Sequence, residues 1–224
     1  MESLTVKVVL VGIALAAATV MWVTGIRRLI KRMERIRALR LGYECELAVG
    51  QELDLLMLRG YRVFHDVPAE GFNIDHVVVG PAGVFAVETK GRSKRLTGEE
   101  GSSTGFKVRY CAGKLEFPFG TDADTIPQAV RQAKWLSQWL SSAAGMAVDA
   151  VPLVVLPGWF VEIKDRPKVA VIASGYIDGY FKRRTSAQLS EEQIGRIVHQ
   201  LDAKVRDLKP GELVRPAELQ GAAA

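Results

Sequence analysis

Asp75, Glu88 and Lys90 are the residues of this chain best suited to chemistry. They lie in NIDHVVVGPAGVFAVETKG, residues 73–91, a stretch that is otherwise apolar. Charges in apolar strands are costly unless something pairs with them. The stretch reads as two strands, 73–79 and 84–90, around the turn GPAG. Successive strand residues point to opposite faces, so Glu88 and Lys90 share one. An even loop pairs Gly80 with Gly83, Val79 with Val84 and Val77 with Ala86. Asp75 then meets Glu88, with β-carbons about 5 Å apart. A three-residue loop with a bulge at Gly83 would break that register; the even register is the one adopted.

Like charges facing each other are unfavourable unless a cation lies between them. Oxygen ligands of this kind suit Mg²⁺ or Mn²⁺. Such an ion polarises a phosphate oxygen and acidifies bound water. Lys90 can orient or help deprotonate that water, or steady developing charge. Together these groups are the toolkit for hydrolysing a phosphodiester. The competing reading is an ion network at a sheet edge, because D-x12-E-x-K alone is a weak pattern.

Two helices supply further candidates. Glu46 precedes Val49 and Leu53 by three and seven residues, on the core-facing stripe of a helix, where a solvated Glu is out of place. It is positioned to join the same metal. Gln128 and Gln132 are one turn apart beside Ala129 and Ala133, able to hold a phosphate or a water; ordinary surface polarity is the alternative. The segment 91–114 carries Arg92, Lys94, Arg95, Lys107, Arg109 and Lys114 against Glu99 and Glu100, so it is the best substrate-contact candidate.

The elements around these residues are expected as follows. A helix spans 42–59 and stops at Gly60; a short strand spans 61–66. After the hairpin comes a Gly/Ser-rich mobile loop, 91–105. A second hairpin, 106–111 with 114–117, precedes a helix over 125–141. Strands at 150–156 and 168–173 follow, then a helix over 190–208 whose Ser190 and Gln193 fit a capping box. Most strands are apolar on both faces, as in a mixed central sheet covered by helices on both sides. His65, His76 and His199 are scattered, and His76 reads as packing.

Ahead of this lies VVLVGIALAAATVMWVTGI, residues 8–26, without a charged residue. It is long enough to cross a bilayer, which takes roughly 20 apolar residues. A retained anchor is favoured over a cleaved signal, because basic residues follow the span and only Lys7 precedes it. Residues 27–40 hold seven basic side chains and one acidic, Glu34. The positive-inside rule puts them in the cytoplasm. The expected organisation is an anchor at 1–26, a basic segment at 27–41, the domain at 42–210 and a tail at 211–224. The net charge of +5 belongs to the basic segment: Glu2 and Lys7 cancel, and 41–224 is close to neutral. Overall basicity is therefore no argument for nucleic-acid binding. Cys45 and Cys111, the two cysteines, suggest free thiols.

GYRVFHDVP followed by NIDHVVVGPAGVFAVETKG resembles the nuclease-related domain (NERD) family, grouped with the PD-(D/E)XK nuclease superfamily. The upstream helix with Gly42 and Glu46, and the later PQAVRQAKWL, keep that family's order, so the resemblance covers about residues 42–156. It implies an α/β fold with an αβββαβ core, a divalent metal and cleavage of DNA. By position it implies Asp75, Glu88 and Lys90 as the catalytic acids and lysine, Glu46 as the helix glutamate and Gln128 as the helix glutamine. The usual Gly-Glu pair reads Cys45-Glu46 here, with the acid kept. The reading is a nuclease held to the inner membrane by one span, its domain cytoplasmic. The rival reading is a catalytically silent scaffold of the same fold, binding nucleic acid or protein at the membrane. RNA is not separated from DNA by these residues.

Overall fold

The computed structural model describes residues 2–93, 106–184 and 188–206. The chain divides into two units, Met1–Gly42 and Tyr43–Ala224. Helix α1 is Glu2–Asp54. In the first unit it exposes Val8, Val9, Leu10, Ile13 and Leu15, and it is long and apolar enough to cross a membrane. The expected start at 42 is absent: no Gly-Pro break lies between 26 and 42, so the helix continues. Past Asp54 it tightens to a 3₁₀ turn, Leu55–Arg59, and Gly60 stops it in the left-handed region at φ 80°.

The second unit is built on a five-stranded mixed sheet. Its strands are β1 (Arg62–Pro68), β2 (Asn73–Gly80), β3 (Gly83–Thr89), β7 (Ala150–Leu156) and β9 (Ala170–Ala173), in the order β1-β2-β3-β7-β9. The first three are antiparallel; β7 runs parallel to both β3 and β9. A parallel return needs a long crossover, and 90–149 supplies it with helix α2 (Thr125–Ala144).

The two faces of this sheet bury alternate residues. Val77, Val79, Val84 and Ala86 pack against Leu136 and Leu140 of α2 and against Ile197 and Leu201 of α4 (Glu191–Arg206). Val78, Phe85 and Val87 pack against Val49 and Leu53 of α1 and against Ile177 and Phe181 of α3 (Ile177–Lys182). The sheet is therefore covered on both sides, as the doubly apolar strands require. At α4 the capping box forms: Ser190 N–H donates to Gln193 Oε1 at 2.8 Å, and Gln193 N–H to Ser190 Oγ at 3.2 Å.

The second hairpin does not join this sheet. β4 (Lys107–Cys111), β5 (Lys114–Phe117), β6 (Gly120–Asp122) and β8 (Phe160–Ile163) form a separate sheet in the order β6-β5-β4-β8. The reason is visible in β4, where Val108 and Tyr110 are buried while Arg109 is exposed. A strand with one wet face does not fit a doubly covered layer. Its apolar face packs on Ile126, Ala129 and Trp159. Of the expected mobile loop 91–105, residues 94–105 lie outside the described residues, as does the tail 211–224.

Candidate active site

The turn between β2 and β3 sets the register. Gly80 pairs with Gly83, Val79 with Val84 and Val77 with Ala86, as an even loop requires. Gly80 admits no side chain, because a Cβ there would lie 2.2 Å from the Tyr61 ring. The paired ladder ends at His76 and Val87. One step beyond, Asp75 stands opposite Glu88, and a side chain replaces the backbone bond: Thr89 N–H donates to Asp75 Oδ2 at 2.7 Å.

Glu88 is 4 % exposed and is held from helix α2. Gln128 Nε2 donates to both carboxylate oxygens, at 2.9 and 3.0 Å. Gln132 Nε2 donates to Glu88 Oε2 at 2.7 Å and to the Asn73 carbonyl at 3.4 Å. The one-turn spacing of the glutamines places both amides on a single carboxylate. Gln132 is 2 % exposed, so it holds Glu88 from beneath and does not face outward to a phosphate.

Electrostatics ties the acids together. Burial, then the charges of Glu88 and Glu46, push Asp75 well above the usual carboxylate range, against the Thr89 N–H. Burial pushes Glu88 up to about 7, opposed by Gln132, Lys90 and Gln128 and assisted by Glu46. Glu46, half-buried on α1, is raised by burial and by Asp66. The arrangement is a set of oxygen donors whose negative charge is under-compensated, with Lys90 as the nearby cation that offsets Glu88. Lys90 follows the end of β3, where its N–H bonds the Val155 carbonyl at 2.9 Å.

Asp66 was not among the sequence candidates. It lies in β1 opposite Asp75, between the pairs His65–His76 and Val67–Ile74. Its φ is 50°, uncommon for a residue other than glycine. Its charge raises both Asp75 and Glu46. Its sequence signal was the cross-strand register: two-strand pairing through the 69–72 turn sets Asp66 against Asp75.

Arg92 has a different partner from the expected phosphate. Its Nη2 bonds Asp122 Oδ2 at 3.0 Å, and its guanidinium stacks 4.8 Å from the Phe117 ring centre. Asp122 needs that cation because it is 6 % exposed, and its other oxygen accepts the N–H groups of Asp124 and Thr125 at the start of α2. Burial alone would raise Asp122. The Thr125 N–H, Arg92 and the Asp124 N–H outweigh it and hold the carboxyl below its usual range. Arg92 thus fixes the origin of the helix that carries Gln128 and Gln132. Lys94 and Arg95 lie outside the described residues.

Two scattered histidines come together on the opposite face of β2. His65 and His76 are a cross-strand pair with Nδ1 atoms 2.8 Å apart, and His65 Nε2 lies 3.1 Å from Asp54 Oδ1. If His65 Nε2–H donates to Asp54, His65 Nδ1 accepts from His76 Nδ1–H. His76 Nε2 is then a buried acceptor without a partner among the described residues. Burial, then His65, lowers His76 to about 3, so it stays neutral.

Among the described residues no three His, Cys, Asp or Glu side chains are grouped tightly enough to hold a metal as they stand. The chemistry of the donors nevertheless fits a hard divalent ion. The charges of Glu88 and Glu46 raise the proton affinity of Asp75, and that of Glu46 raises Glu88, which is what a cation between the acids would relieve.

The family model for the nuclease-related domain matches residues 41–157 of the chain. No curated protein and no solved structure matches it.

Proposed function

The chain belongs to the nuclease-related domain family, and from that premise we propose that it is a divalent-metal-dependent nuclease that hydrolyses phosphodiester bonds in DNA. The observation that carries the reading is the placement of Glu88: a buried carboxylate, opposite Asp75, oriented by two glutamine amides. An acid kept for fold stability alone would gain more from a cation or an apolar replacement than from burial beside other acids.

Asp75 and Glu88 would hold Mg²⁺ or Mn²⁺, with Glu46 as an accessory ligand. Bound there, the ion supplies charge for a phosphate oxygen and acidity for a water. The chain's own residues prepare that step. Gln128 and Gln132 fix the Glu88 carboxylate, so no reorganisation is needed when charge develops. Thr89 N–H does the same for Asp75. Lys90 steadies negative charge on the phosphate or helps remove the proton of the attacking water. Lys94 and Arg95 would meet the nucleic-acid backbone.

The apolar stretch of α1 serves, on this reading, as a single span of the inner membrane. The basic residues 27–40 then place the domain in the cytoplasm. The test is digestion of plasmid, linear, single-stranded and RNA substrates by the full-length protein, with Mg²⁺, Mn²⁺ or EDTA. DNA is cut with metal and not with EDTA, and Lys90→Ala slows cutting by roughly 10²–10⁴-fold. Failure to cut any substrate with either metal leaves the scaffold reading in its place.

A further inference from the structure

Glu46, Gly50 and Asp54 recur every fourth residue, so they share one face of α1. Each meets something different. Glu46 interacts with the acids Asp66, Asp75 and Glu88. Asp54 meets His65 Nε2 at 3.1 Å. Gly50 lies against the histidine pair: a Cβ there would come within 3.2 Å of His65 Cε1, 3.3 Å of His65 Nδ1 and 3.4 Å of His76 Cε1. The imidazoles cross at 86° with centres 5.1 Å apart, which fills the space beneath the glycine.

The two histidines are also chain neighbours of the acids. His76 follows Asp75 and His65 precedes Asp66. The strand positions that present carboxylates therefore also set where the imidazoles stand. We infer that His65 and His76, seated under Gly50 and latched by Asp54, are positioning residues that fix the height and rotation of α1 and thereby the reach of Glu46 toward Asp75 and Glu88. An apolar pair would fill the same space without the cost of burying His76 Nε2, which has no partner among the described residues. What it would lack is direction. Hydrogen bonds from strand to strand to helix hold the helix at one rotation, whereas methyl packing tolerates sliding.

The catalytic side of this inference rests on the proposed nuclease reading; the geometric side does not. Both are tested by one double-mutant cycle in the full-length protein. kcat and KM for linear DNA with Mg²⁺ are measured for the parent, Glu46→Gln, Gly50→Ala and the double variant. A helix pushed off the imidazoles carries Glu46 with it, so each single change lowers kcat roughly tenfold or more with KM little changed. The double variant is then no slower than Glu46→Gln alone. Full activity in either single variant, or multiplied losses in the double, overturns the inference. Should Gly50→Ala not fold, His65→Ala takes its place. His65→Gln, whose amide both donates and accepts, recovers most of the lost kcat. If the parent cuts nothing, the nuclease reading fails by itself and the cycle is read by thermal melting at pH 8. Glu46→Gln removes a like charge from the acids and raises Tm in the parent but not beside Gly50→Ala. Equal shifts in both backgrounds overturn the positioning role.

Discussion

Glu88→Ala is expected to abolish Mg²⁺-dependent cleavage, by about three orders of magnitude or more, while the domain stays folded. The loss is large because one substitution removes the charged donor proposed for the metal and the acceptor for both glutamine amides. The fold is expected to survive because two effects oppose each other. Gln132, 2 % exposed, loses the shorter of its two hydrogen bonds and keeps the one to the Asn73 carbonyl, and the buried N–H left over costs about 1–3 kcal/mol. Removing a carboxylate that burial pushes up to about 7 offsets much of that cost. Plasmid cleavage beside a circular-dichroism melt reads both quantities. A folded Glu88→Ala protein that cuts as fast as the parent contradicts the assignment.

Glu88 also sets the pH dependence of stability. Its folded-state value lies near 7, above the 4.5 of an exposed glutamate, so the folded protein binds the proton more tightly than the unfolded chain. The stabilising contribution is fully present below pH 4.5 and is lost as pH rises through about 7. Its size is roughly 3 kcal/mol. Asp75 acts in the same direction. His76 acts in the opposite one: its folded-state value is lowered from 6.5 to about 3, so its contribution is present above 6.5 and is lost as pH falls toward 3. In metal-free buffer the parent is therefore most stable on the mildly acidic side of neutrality. Glu88→Gln removes the loss on the alkaline side. It is expected to melt several degrees above the parent at pH 8 and close to it at pH 5. A substitution that lowers Tm at pH 8 means that Glu88 is not the strained acid described here.

Much of the site could be read from strand and helix periods. The even register between Gly80 and Gly83 follows from the apolar pattern and a two-residue loop, and it placed Asp75 against Glu88. Glu46 stood out because it broke an apolar stripe. The Ser190–Gln193 box is purely local, and it formed. What stayed hidden depends on partners distant in sequence. Arg92 lies 30 residues before Asp122, and nothing in either neighbourhood announces their ion pair. The sequence admits Gln132 as a phosphate contact because one helical turn cannot say how deep its face is buried; in the fold it is 2 % exposed. Asp66 and the His65–His76 pair needed β1 to be set in register against β2, a step the hairpin argument did not extend to. The second sheet was missed because its strand β8 is half-exposed and lacks a run of buried apolar residues.

The central claim is that Asp75 and Glu88 share a divalent ion. Calorimetric titration of Mn²⁺ into the full-length protein at pH 7.5 tests it most directly. One ion is expected to bind, with release of protons from the raised carboxyls, and Asp75→Asn with Glu88→Gln is expected to eliminate that binding. Unchanged Mn²⁺ affinity in the double variant, or no binding to the parent with DNA present, contradicts the account.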